Sequence, residues 1–257
     1  MQNRMQDEDI DMKIELPDKI SRPFIYACMG FGANEPDPVS VALVAECEEL
    51  LLSVAEPRAV YREFNIEEIA PLVEGEDLLR HLEGCDRCVL MALTLGPAVD
   101  KLIRRFEITD MAKAVALDAC ASSLVEDLCD GLSGRLEAEY GGYALATTSR
   151  FSPGYGDLPL SFQKVFQTLL DMHRAIGLSH SKEYLLTPRK SVTAVIGVYE
   201  TERTCVDNDD TYSKRETLAD EPRDEQSRPP KKGRACEICQ NFEKCAFRLS
   251  GAHCGKE

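Results

Sequence analysis

Tryptophan is absent from the 257 residues, and that alone excludes nothing. Other absences carry more. No run of about 18 apolar residues occurs, so no membrane-spanning helix is expected. Cationic residues are scarce, with 30 Lys and Arg against 45 Asp and Glu and a formal net charge of -15. A phosphate backbone rewards clustered Lys and Arg, so no nucleic-acid partner is expected. The balance suits a soluble protein, or one that docks on a less acidic surface. There is no P-loop, no dinucleotide fingerprint and no internal repeat. Histidine is rare, and no Ser/His/Asp or paired-carboxylate motif surrounds His173 or His180, which read as surface residues. The polar, acidic residues 1–11 do not read as a signal peptide. The expectation is therefore a reducing cytoplasm. There the eleven cysteines are core thiols or metal ligands rather than disulfides.

What is present starts with an apolar fraction of 44%, enough for a real core. Residues 1–17 read as a flexible, charged leader. A short helix is expected from Ile20, with Ser21 as cap and Pro23 in the first turn. Helical spacing returns over 39–53, with Glu46, Glu48 and Glu49 on the wet face. Residues 58–66 alternate like a strand, and 76–82 read as a short helix. The continuous apolar run 88–95 suits a buried strand. Residues 97–106 and 110–140 read as helices, the second rich in small residues and closed by Gly141-Gly142. The carboxylates Glu126 and Asp127 fall on its polar face, where solvation accounts for them. A further helix is expected over 162–176, and 191–199 is a β-branched strand. This irregular mixture points to an α+β domain over residues 18–200.

Residues 201–234 hold hardly any apolar side chain and read as a disordered linker. The 235–257 tail then places Cys236, Cys239, Cys245 and Cys254 within nineteen residues, beside His253. Thiolate ligation of a metal can fold so short a segment. Zinc and an iron–sulfur cluster both fit four cysteines, and a tail of unliganded thiols is the alternative. Cys85 and Cys88 form another close pair, read as core-edge thiols. Arg189 and Lys190 lead into the last strand as two cations, either an exposed turn or a contact for an anionic group.

The most informative segment is residues 150–161. Pro153 and Pro159 remove backbone donors, while Gly154 and Gly156 permit angles closed to other residues. A shaped loop results, with one fixed positive charge at Arg150 and backbone amides expected free near Tyr155. Such a loop before a helix suits a small anionic or zwitterionic ligand.

Arg150-Phe-Ser-Pro-Gly-Tyr155 resembles the Arg-x-x-Pro-Gly-Tyr signature of the activation domain of cobalamin-dependent methionine synthase. Four more segments are similar: Ile20-Ser-Arg-Pro-Phe-Ile-Tyr-Ala-Cys-Met-Gly-Phe31, Leu93-Thr-Leu-Gly-Pro-Ala-Val-Asp100, the 116–130 stretch of the long helix, and Pro188-Arg-Lys-Ser-Val-Thr-Ala-Val-Ile-Gly197. The resemblance implies a stand-alone, C-shaped α+β domain with a central, mostly antiparallel sheet flanked by helices. It also implies S-adenosylmethionine as ligand, with Arg150 at its carboxylate, backbone contacts from Ser152, Pro153, Gly154 and Gly156, and Tyr155 alongside. The implied partner is a corrinoid-binding methyltransferase, a methionine synthase lacking its own activation domain, whose cobalamin is restored by reductive methylation. The chemistry then falls on the partner's cobalamin, with a separate electron donor. The family also has an acidic residue just before the signature arginine, whereas residues 144–149 here carry no carboxylate. Two other roles fit the same residues: a corrinoid-protein adaptor without S-adenosylmethionine, and an iron–sulfur electron donor.

Overall fold

The computed structural model describes residues 10–31, 34–142 and 145–200. In chain order these form β1 (Ile10–Lys13), α1 (Arg22–Cys28), α2 (Pro38–Val54), β2 (Arg58–Asn65), α3 (Ile66–Ile69), α4 (Asp77–His81), β3 (Arg87–Thr94), α5 (Pro97–Thr109) and α6 (Met111–Gly141). There follow β4 (Leu145–Thr147), α7 (Gln163–Leu169), α8 (Met172–Ile176), β5 (Ser179–His180), β6 (Leu186–Thr187) and β7 (Ser191–Glu200). Five strands make one antiparallel sheet in the order β1-β2-β3-β7-β4. β5 and β6 pair separately.

β3 is apolar without interruption because both of its faces are covered. Val89, Met91 and Leu93 join one core with α1, α2, α5 and α6. Cys88, Leu90 and Ala92 join a second core with α7, α8 and Phe151. The two-residue period of the strand sends alternate side chains to the two cores. α6 runs along the first core and buries Ala116, Ala119, Cys120 and Ala121, small residues that admit close neighbours. Its start is set by Asp110, whose Oδ1 accepts the Lys113 amide at 3.1 Å. Asp37 caps α2 in the same way, through the amides of Val39 and Ser40. Each such cap stabilises its helix by about 1 kcal/mol.

Three expectations need correction. Ile10–Lys13, placed in the leader, pairs with β2 as an edge strand. The helix expected over 162–176 is two helices, because Asp171 adopts a left-handed backbone at φ 42°. Both pieces still bury apolar residues in the second core, so their spacing resembles one helix. Glu48 is not on a wet face. It is buried and takes both Nε and Nη2 of Arg22, at 3.2 and 2.7 Å.

Candidate functional site

The signature loop is held at the outer edge of β7. Phe151 exchanges both backbone hydrogen bonds with Val195, at 2.9 and 2.8 Å, and its ring enters the second core. Side chains alternate across an extended segment, so Arg150 faces the other way, toward α6. There its Nη2 donates to Glu126 Oε2 at 2.8 Å, and its Nη1 stands 3.0 Å from Asp130 Oδ1. A guanidinium carries five N–H donors. Donors therefore remain after both carboxylates are served, on a side chain that is 20% exposed. Burial raises the Glu126 carboxyl above its ordinary range, Arg150 opposes that, and Asp130 and Asp127 add to it.

Asp118, Ser122, Glu126 and Asp130 recur every four residues, so they share one face of α6. Lys190 occupies the other end of this stripe. Its Nζ donates to the Asp118 carbonyl at 3.1 Å and to Ser122 Oγ at 2.8 Å, and pairs with Asp118 Oδ1 at 2.9 Å. Arg189 donates its backbone amide to Asp100 Oδ2 at 2.7 Å, and its guanidinium stands 3.8 Å from Glu107 and 3.9 Å from Asp118. The two cations at the strand mouth are thus received by α5 and α6.

The loop folds as two consecutive turns. Tyr155 N donates to Ser152 O at 3.0 Å, with Pro153 and Gly154 (φ 94°) in the central positions of a type II turn. Leu158 N donates to Tyr155 O, and Gly154 N to Leu158 O. The amides of Gly154 and Tyr155 are therefore spent inside the loop, not free as the sequence suggested. The bridge to β7 is short. Val195 and Gly197 direct their backbone groups outward, to Phe151 and Thr148, so Thr193 directs its own the same way. The next ladder position would set Pro153 opposite Thr193, and proline has no N–H to give. The ladder stops there. Thr193 is 2% exposed, and among the described residues its outward N–H and C=O have no backbone partner.

Tyr155 is on the surface, 59% exposed, and meets the Phe151 ring edge-on at 6.1 Å. Phe151 in turn lies 5.1 Å from the His81 ring. His81 Nε2 lies 2.9 Å from Ser149 O and 3.0 Å from Thr148 Oγ1. Burial pushes its pKa down.

No family model matches the chain, and no curated protein matches it. A search of solved structures finds the MetH reactivation domain in complex with AdoHcy (S-adenosylhomocysteine). The TM-score is 0.55 at 15% identity, over 75% of this chain and 78% of that one. The chain has the fold of that reactivation domain. The mixed helix-and-strand architecture with a central antiparallel sheet, expected from the sequence, is what is found.

Within this reactivation-domain fold, Ser152, Pro153, Gly154, Tyr155 and Gly156 form one compact double turn beside Arg150. Asp130, His81 and Thr193 escaped sequence reasoning, and Glu126, expected to be held by solvation alone, pairs with Arg150. Glu126 and Asp130 carried one usable signal, a four-residue spacing on one helix. Cys85 and Cys88 are unpaired thiols whose pKa values burial pushes up to about 11 and about 12, which suits core-edge residues rather than reactive ones. Among the described residues no group of three or more His, Cys, Asp and Glu could hold a metal ion. Cys236, Cys239, Cys245 and Cys254 lie outside the described residues. No helix among the described residues is long and apolar enough to cross a membrane.

Proposed function

We propose that this chain is a reactivation component for a cobalamin-dependent methyltransferase, a methionine synthase lacking its own activation domain. S-adenosylmethionine binds between the signature loop and α6, and the loop side docks on the partner's corrinoid. A one-electron donor reduces the partner's cobalt, and the sulfonium gives up its methyl group to it, leaving S-adenosylhomocysteine. The chemistry is on the partner, so no acid, base or nucleophile is assigned here.

One observation carries this reading: a partly exposed arginine with donors to spare, set in the fold of a domain that binds AdoHcy. The planar guanidinium fork suits the ligand's carboxylate. Glu126 and Asp130 supply the negative charge that a sulfonium and an ammonium group need. The stretch before Arg150 lacks a carboxylate, and α6 provides two.

Calorimetric titration with S-adenosylmethionine, with and without a corrinoid partner, tests the assignment. Arg150→Ala should weaken binding about tenfold to a hundredfold, as loss of a charge-assisted hydrogen bond does. Absence of binding under both conditions overturns the reading. Unchanged affinity in Arg150→Ala moves the ligand to another place.

A further inference from the structure

The loop that presents Arg150 is tied at two points to α4, a helix that the ligand reading leaves without a role. At its start, Asp157 Oδ2 accepts the Glu76 amide at 2.7 Å and Oδ1 accepts the Asp77 amide at 3.0 Å. Asp77 reciprocates, its Oδ2 accepting the Asp157 amide at 3.0 Å. Each carboxylate thus satisfies backbone donors of the other's segment. Both approaches need glycine. A Cβ added at Gly75 would stand 2.5 Å from Asp157 Oδ1, and one added at Gly156 would fall on the Asp77 carboxylate.

The far end of α4 holds the other side of the loop. His81 Nε2 donates to Ser149 O, the residue before Arg150, at 2.9 Å. Thr148 Oγ1 completes this junction, accepting the Gly197 amide of β7 at 2.8 Å. The His81 ring also backs Phe151, whose backbone is locked to Val195. α4 has its own anchorage: Leu78 and Leu82 are buried in the second core. It can therefore stay in place while either tie is cut.

We propose that α4 is a two-point brace for the ligand loop, with Asp77, Asp157 and His81 as positioning residues that hold residues 150–156 in the shape that presents Arg150. The proposal rests on the reading that this loop binds S-adenosylmethionine. The two ties sit on one short helix, so they act together. A loop released at one end no longer meets the other tie in register.

Hydrogen exchange on the full chain decides it. Asp157→Ala and His81→Ala should each speed exchange over residues 149–158 about tenfold, the scale of a lost cap, with β3 and β7 unchanged. The double variant should fall short of the product of the singles, because one loss already disables the other contact. His81→Gln, whose amide can still donate to Ser149 O, should restore slow exchange. S-adenosylmethionine titrations should follow, with each single variant weakened by about its own exchange factor and His81→Gln close to wild type. Unchanged exchange in both singles overturns the brace, as does a double variant equal to their product. If the unaltered chain binds no S-adenosylmethionine, the functional reading fails, while the exchange results still decide the brace.

Discussion

Lys190 and Arg150 reach the same face of α6 from opposite ends of its polar stripe, and α6 receives them differently. The Lys190 ammonium meets a carbonyl, a hydroxyl and a carboxylate within 3.1 Å, which matches its three donors, and the side chain is 11% exposed. Arg150 meets two carboxylates and keeps donors in reserve on a more open side chain. Lys190 is a closed contact that fastens the start of β7 to α6. Arg150 is an open one. A cation whose bonding is complete serves the fold, and one whose bonding is half complete is available to a ligand.

Removing Lys190 tests the distinction most severely. Lys190→Met keeps the buried stem but takes the donor from Ser122 Oγ and the cation from the Asp118 carboxylate, while the Asp118 carbonyl keeps only the Ser122 hydroxyl as a side-chain donor. Stability should fall by about 2 kcal/mol, the scale for hydrogen bonds to a charged group. Affinity for S-adenosylmethionine should stay within about twofold of the unaltered chain. Urea unfolding and calorimetry on the same preparations check both. A ligand loss as large as that in Arg150→Ala would make the two cations equivalent and end the distinction.

A smaller effect sharpens the Arg150 side. The Glu126 carboxyl is raised above its ordinary value of 4.5, chiefly by burial. A raised acid stabilises the fold fully below its unfolded pKa, and that contribution is lost as pH rises through the folded value. Glu126→Gln carries no such proton, and Asp130 remains to pair with Arg150. The melting temperature of the variant minus that of the unaltered chain should therefore rise between about pH 4 and pH 7. A difference that is flat or falling over this range would mean that Arg150 already outweighs the cost of burying Glu126.

The sequence carried much of this arrangement unevenly. β3 and β7 were legible from their apolar and β-branched runs, α5 from Gly96-Pro97, and α6 from its long run of small residues. The turn at Ser152 was legible too, because Pro153 and Gly154 allow few alternatives. What the sequence hid were contacts fixed by how elements cross. Arg150 and Glu126 are 24 positions apart, and Asp157 lies 80 positions from the Asp77 amide it accepts. No spacing rule links such pairs; the path of α6 under the sheet edge and of α4 beside the loop creates them. β1 was hidden for a related reason, since a four-residue edge strand takes its order from β2. The Thr193 peptide is different again. That the ladder stops short of it follows from Pro153 only once the Phe151–Val195 register is known.

Tyr155 gives the smallest expected effect on the fold and the most selective one on function. Its ring meets Phe151 edge-on at 6.1 Å, on a side chain mostly in solvent. Tyr155→Ala should change stability by no more than about 0.5 kcal/mol, as exposed substitutions do. If the loop side is the docking face, the same change should weaken association with a corrinoid partner several-fold, because exposed aromatic side chains concentrate binding energy at interfaces. Binding of S-adenosylmethionine should be less affected than by Arg150→Ala, since Arg150, the proposed partner of the ligand's carboxylate, faces the opposite side of the extended segment. Partner association measured by calorimetry, alongside a thermal melt, separates these roles. A large loss of stability without loss of association would move Tyr155 from the docking face to the fold, beside Lys190.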